Sequence, residues 1–120
     1  NYVGVTDIDL ILKEYPLPKK INDAIDAVMI ADRKKDKDWI KRLSIQNNID
    51  KVRAPVLMAY GMKDWRVPPK HGRILKRALD KNDVPNKLII KANEGHGYRN
   101  EKNVFEFYRE VDDFLEQHMK

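Results

Sequence analysis

The sequence predicts an α/β protein with about three parallel strands and flanking helices. Two apolar runs, at residues 56–60 and 87–92, are each followed by a segment with helical spacing. A shorter β-rich run at residues 1–6 precedes them and supplies a third strand. Strands that alternate with helices favour a parallel sheet with right-handed crossovers. Three strands make an incomplete sheet, so we expect at least one exposed edge.

The first third of the chain is expected to be mainly helical. Residues 8–12 predict a short, strongly apolar helix or lid segment, and the Pro-containing stretch at residues 15–18 ends it. Residues 19–31 carry apolar side chains at helical spacing. Pro18 suits the first turn of that helix, where a missing N–H leaves no hydrogen bond unmade.

A further helix is predicted at residues 38–45, with Asp38 as its N-terminal cap. Trp39, Ile40 and Leu43 are expected to face the core. The next strand, at residues 56–60, is nearly all apolar, which is typical of a strand covered on both faces.

The second half of the chain has the clearest periodicity. Residues 70–82 predict a helix, residues 87–92 a strand, and residues 93–100 a loop containing glycine. The last helix is predicted at residues 103–119, where apolar positions follow the i, i+3, i+4, i+7 rule.

Composition limits the kinds of protein this chain can be. It has 120 residues, of which 42% are hydrophobic and 36% charged, which indicates one folded domain at most. It has no cysteine, so disulfides and thiolate metal sites are excluded, while the compartment stays open. No apolar run approaches the roughly 18 residues of a membrane span, and no signal-peptide pattern is present. The chain starts without Met on a predicted strand, so we expect the true N-terminus upstream.

The net charge of +5 raises the question of nucleic-acid binding. The 24 basic residues are scattered among 19 acids, and the densest cluster, at residues 33–38, is interrupted by aspartates. A solvated connection between helices explains that cluster better than a binding patch. Neither a nucleic-acid nor a membrane partner is predicted.

Two residues with catalytic potential follow neighbouring predicted strands. Asp64 lies in the turn after the first apolar run, and His96 lies between Gly95 and Gly97 after the second. There, an Asp carboxylate can accept from imidazole Nδ1–H and leave Nε2 free as a general base. The glycines suit a sharp loop that projects the ring. Taken singly, the aspartate could be a turn former and the histidine a surface residue.

Two motifs around these residues resemble those of the prolyl oligopeptidase family of serine peptidases, which includes dipeptidyl and acylaminoacyl peptidases. They are GMKDWRVP at residues 61–68 and EGHGY at residues 94–98. Residues 3–7 also resemble the strand and turn after the nucleophile in that family. The resemblance covers nearly all of residues 1–120. It implies the C-terminal portion of an α/β-hydrolase fold, with the nucleophile-bearing part absent.

The resemblance also implies roles for individual residues. Asp64 would orient His96, which would act first as base and then as acid. Arg66 matches a family position near the active site, and Trp65 either lines the substrate cleft or packs, so both are candidate substrate-binding residues. Met62 and Tyr98 are open to the same two interpretations, on the rim of the cleft or packed.

The sequence lacks the Gly-x-Ser-x-Gly nucleophile motif and any oxyanion-hole loop. Its one serine, Ser44, has no flanking glycine and is predicted to be structural. We therefore expect a fragment of a serine peptidase that acts on peptide substrates. It supplies the Asp and the His of the triad and is inactive alone.

Two alternatives stay open from the sequence. The chain could be a fragment of an esterase with the same fold. It could also be a stand-alone, non-catalytic module that associates with itself or a partner through the exposed sheet edge.

The other polar residues carry no predicted chemistry. His71 and His118 are expected at the surface, and the three histidines show no metal-ligand spacing, so neither a metal nor a cofactor is predicted. Asp7 and Asp9 are expected in turn or cap roles.

Overall fold

The computed structural model describes residues 1–14, 18, 20–21 and 31–119. The helix predicted at residues 19–31 falls almost entirely outside the described residues, as does the stretch at 15–17. The described elements, in chain order, are α1 (Ile8–Glu14), α2 (Lys37–Leu43), a 3₁₀ helix (Ile45–Lys51), β1 (Val56–Gly61), α3 (Lys70–Lys81), β2 (Asn86–Lys91) and α4 (Glu101–His118).

The sheet is parallel, as predicted, but it has two strands in the described part of the chain, and the strand predicted at residues 1–6 is reduced to a single bridge. Strands β1 and β2 pair in parallel along their whole length. On the other side of β1, Tyr2 forms an isolated parallel bridge with Ala59. The Val3 N–H donates to the Ala59 carbonyl at 2.8 Å. Val3 has a φ of 46°, in the left-handed region that strands do not use, so the pairing ends there.

The main core lies around β1, which is buried because both of its faces are covered. Met58, Ala59 and Tyr60 are at most 1% exposed. Helix α3 packs against this strand with its apolar stripe, as its periodicity predicts. The core cluster consists of Ile49, Met58, Tyr60, Val67, Leu75, Leu79 and Val84.

Helix α2 corrects two sequence predictions. It begins at Lys37, so its N-cap residue is Asp36 and not Asp38. Trp39 and Leu43, expected in the core, are 39% and 50% exposed, and only Ile40 is buried. The helix has seven residues and contributes Ile40 to a small cluster with Leu12 and Ala31. Two helical turns bury only the side that carries Ile40 and meets α1, so Trp39 and Leu43 stay exposed.

Helix α4 lies at the end of the chain, and its apolar face is only partly covered. The Tyr2 ring stacks on Phe107 with 5.0 Å between centroids. Phe105, Tyr108 and Leu115 remain exposed. Among the helices that the structure describes, none has both the length and the apolar content that a membrane span needs.

Candidate active site

Asp64 lies in the turn that follows β1, and its side chain is fully buried. Its Oδ1 accepts the backbone N–H groups of Arg66 and Val67, both at 2.9 Å. This is the local turn geometry that an aspartate favours. Because Oδ1 is occupied by the turn, Oδ2 points away from it and is available to a second partner.

That partner is His96. Its Nδ1 lies 2.9 Å from Asp64 Oδ2, so the structure contains the Asp–His contact that the spacing predicts. The imidazole is 36% exposed, whereas the carboxylate is 0% exposed. In the Nδ1–H tautomer the ring donates to the carboxylate, and Nε2 is left as the proton acceptor.

The turns that carry Asp64 and His96 touch each other. The Lys63 N–H donates to the Glu94 carbonyl at 2.8 Å. A Cβ on Gly61 would lie 2.6 Å from the carbonyl carbon of Glu94 and would overlap the carbonyl oxygen of Gly95. In the loop itself, Gly97 has a φ of +101°. Gly61 and Gly97 are therefore required by geometry, whereas Gly95 is not.

Glu94 is a residue of this site that the sequence reasoning missed. It is 4% exposed, and its carboxylate accepts the N–H groups of Arg99 and Asn100 at 2.9 and 3.0 Å. The side-chain amide of Asn103 donates to the same carboxylate at 2.6 Å. The Asn103 amide, followed by the Arg99 N–H, lowers the pKa of Glu94 below its ordinary value. The available sequence signal was an acid directly before Gly-His at the end of an apolar strand.

Of the two interpretations open for Tyr98, the structure supports packing, because the side chain anchors the loop from the inside. It is only 9% exposed, and its hydroxyl donates to the Tyr60 carbonyl at 3.0 Å. Its ring meets Phe107 edge-on with 5.6 Å between centroids. Burial raises the pKa of Tyr98 to about 12, so the hydroxyl stays a donor across the physiological range.

A cavity of about 530 Å³ opens beside His96. Trp65, Arg66 and Arg99 contribute to its walls. Trp65 is 60% exposed, and the Arg66 guanidinium lies over its ring at 5.3 Å. The structure thus places both candidate substrate-binding residues at the same opening as His96, and it does not pack Trp65 into the core.

Ser44 lies between α2 and the 3₁₀ helix and is 1% exposed. Its hydroxyl donates to the Ile40 carbonyl at 2.9 Å and accepts the Ile8 N–H at 3.0 Å. The side chain links α1 to α2, in line with the structural role expected for it.

His71 is buried, not on the surface as expected. It is 1% exposed and lies under the N-terminal segment, where the Thr6 N–H approaches its Nδ1 at 3.4 Å. Burial lowers the pKa of His71, and the nearby carboxylates of Asp7 and Glu14 oppose this shift.

The Asp7–Asp9 pair does not form a cation site. Asp7 Oδ1 accepts the Leu10 N–H at 3.1 Å in the first turn of α1, as a cap does. Asp9 pairs with Arg33 at 2.8 Å. Within the described part of the chain, no group of three or more histidines and acids could hold a metal ion.

The fold belongs to the α/β-hydrolase class, and the position of the Asp64–His96 contact agrees with it. A carboxylate and an imidazole meet at the carboxyl ends of adjacent parallel strands, which is where α/β-hydrolases place the last two members of their triad. A sequence profile of the prolyl oligopeptidase family matches residues 3–120. The chain belongs to the prolyl oligopeptidase family.

Individual relatives agree with this assignment. A putative Xaa-Pro dipeptidyl-peptidase of Rhodopirellula baltica is 43% identical over 59 residues, which cover 49% of this chain and 9% of that protein. An acylaminoacyl peptidase in complex with Z-Gly-Gly-Phe-chloromethyl ketone superposes with a TM-score of 0.83 at 18% identity, covering 99% of this chain and 19% of that one. A puromycin-hydrolyzing peptidase of Mycobacterium tuberculosis gives 0.81 at 20% identity, covering 98% and 18%. The chain spans less than a fifth of each of these proteins, and the superpositions show an α/β-hydrolase fold.

Proposed function

We propose that this chain supplies the aspartate and the histidine of a Ser-His-Asp triad that hydrolyses peptide bonds. The observation that carries the proposal is the 2.9 Å contact between His96 Nδ1 and the buried carboxylate of Asp64. The peptidase names of the relatives support peptides as the substrate class. The nucleophilic serine would come from residues that this chain does not contain, so the chain alone is proposed to be inactive.

In the proposed mechanism, the serine hydroxyl attacks the scissile carbonyl and His96 Nε2 takes its proton. His96 then returns the proton to the leaving amine. The Asp64 carboxylate holds the ring through Nδ1 and stabilises the imidazolium that forms, while the Arg66 and Val67 N–H groups keep the carboxylate in place.

We assign Arg66 and Trp65 to substrate binding. Both line the cavity beside His96, and both side chains reach solvent. A guanidinium can donate to a peptide carbonyl or a carboxylate, and the indole offers a flat apolar surface next to it.

The first prediction concerns Asp64 and His96. In a polypeptide that contains this segment and the rest of the catalytic domain, Asp64→Asn should lower kcat on the order of ten-thousandfold, because the amide favours the wrong imidazole tautomer. His96→Ala should do at least as much. Hydrolysis of a peptide p-nitroanilide measures both effects, and His118→Gln, at the far end of α4, is the control. Activity retained in either variant would refute the proposal.

The esterase alternative is separated by substrate choice. The same polypeptide is offered a peptide p-nitroanilide and a p-nitrophenyl ester with the same acyl group. Peptide hydrolysis that is lost in His96→Ala supports the peptidase assignment, whereas ester hydrolysis alone supports an esterase. The 120-residue chain by itself should turn over neither substrate.

A second candidate function is association through the side of the sheet that carries Tyr2. An apolar cavity of about 260 Å³ lies there, between Leu57 of β1 and Phe114 and Leu115 of α4. We propose that a second copy of the chain can pair at this side when the rest of a catalytic domain is not present.

A further inference from the structure

We propose that Glu94 is a positioning residue for His96, because its carboxylate closes the loop on which the imidazole is carried. This inference rests on the proposed function of His96. Glu94 touches no substrate in this role. It acts by holding the ring where Asp64 can orient it.

The contacts of Glu94 span the loop on both sides of His96. Oε2 accepts the Arg99 N–H at 2.9 Å, and Oε1 accepts the Asn100 N–H at 3.0 Å. The acid precedes His96 by two residues, and its partners follow by three and four. The carboxylate therefore ties the end of the loop to its beginning, and His96 lies on the enclosed segment.

A third donor links the loop to α4. Asn103 is the buried residue of that helix, and its Nδ2 lies 2.6 Å from Glu94 Oε1 and 2.9 Å from Asn93 Oδ1. Asn100, whose N–H donates to Glu94, is also the N-cap residue of α4. The Glu94 carboxylate therefore lies just before the first turn of an 18-residue helix. Negative charge is stabilised at that end of a helix.

The arrangement requires an ionised carboxylate. A buried charge is tolerated when hydrogen-bond donors surround it, and here three N–H donors point at the two oxygens of Glu94. A glutamine in its place would turn one acceptor into an NH₂ group. The NH₂ group would face an N–H donor and could not accept from it, so the hydrogen bonds on that side of the Glu94 side chain would be lost.

Glu94 also connects the loop to the turn of Asp64. Its carbonyl accepts the Lys63 N–H at 2.8 Å, one residue before Asp64. The same residue thus fixes the His96 loop to α4 through its side chain and to the Asp64 turn through its backbone. A shift of Glu94 would change the distance between the two members of the Asp–His pair.

The test uses Glu94→Gln in a polypeptide that contains the whole catalytic domain. We expect kcat per active site to fall by about tenfold to a hundredfold, since misplacement of a catalytic group by about 1 Å can cost about a hundredfold. KM should change little. Active sites are counted with a serine-reactive fluorophosphonate probe. Glu101→Gln, which removes the same charge from the exposed first turn of α4, should stay within twofold of the parent.

Counting active sites separates positioning from folding. If Glu94→Gln lowers only the fraction of titratable sites and leaves kcat per site unchanged, Glu94 is structural and the inference is overturned. If Glu94→Gln does not fold, Asn103→Ala removes a single donor, and it should lower kcat per site by a smaller factor. No change in that variant would overturn the inference as well. Loss of activity in Asp64→Asn and His96→Ala with an unchanged Glu94→Gln would reject this inference alone.

Discussion

Gly61, the last residue of β1, lies where the two turns of the candidate site meet. Only glycine fits at this position, because the backbone of Glu94 and Gly95 occupies the space that a Cβ would take. The close approach brings the Asp64 turn against the His96 loop and allows the 2.9 Å contact between their side chains. Gly61 has no reactive group, yet it controls the distance between Asp64 and His96.

We expect Gly61→Ala to destabilise the chain by about 1–3 kcal/mol, the usual range for overpacking, because the atoms that a Cβ would meet belong to the backbone and cannot rotate away. Urea unfolding at neutral pH measures the loss. Gly95→Ala is the matched control, since its Cβ would find only the Lys63 carbonyl oxygen at 3.8 Å. Equal free energies of unfolding for the two variants would contradict the contact.

At the scale of elements, α3 shows why a helix can be predicted well while one of its residues is not. Its periodicity places Leu75 and Leu79 inward, and both are at most 1% exposed. His71 belongs to the same buried face because the N-terminal segment covers the start of the helix. Its partner Thr6 is 65 residues away in the chain, so no local pattern reveals the contact.

The burial of His71 predicts a pH dependence of stability. Burial lowers the pKa of His71, so below about pH 6.5, the ordinary value of an imidazole, the unfolded chain binds a proton that the folded chain does not. The free energy of unfolding should therefore fall as the pH falls from about 6.5 to the lowered pKa of the folded state. The slope for one proton is at most about 1.4 kcal/mol per pH unit.

Urea unfolding between pH 7.5 and 5 checks this dependence. His71→Gln cannot bind the proton, so its slope should be flatter than that of the parent. A parent and a His71→Gln variant with the same slope would show that His71 does not contribute.

At the scale of the whole molecule, the chain is small relative to its family. It spans 9% of the Rhodopirellula baltica relative, and among the described residues a single bridge lies on the Tyr2 side of its sheet. Beside that bridge, Phe107, Phe114 and Leu115 of α4 line the apolar cavity. Apolar surface of this kind is favourable to cover, by a second copy or by further chain.

The isolated chain should associate through this cavity, with the apparent mass rising with concentration in sedimentation equilibrium. Leu115→Glu should shift the chain toward monomer, because it adds a charge to the cavity wall at a position already 45% exposed. Met119→Glu, at 76% exposure and beyond the lining, is the control. A monomer at all concentrations, or equal association in both variants, would exclude this surface.

By itself, the sequence determined the alternation of strands and helices, the Asp64 turn and the Gly-flanked His96 loop. Apolar periodicity and turn residues are local, and they encode such features within a few positions. Only the tertiary structure decided the burial of His71, the exposure of Trp39, the single bridge of Tyr2 and the donors around Glu94. Each of these depends on which distant segment covers a given side chain, and that is set by packing of the whole chain.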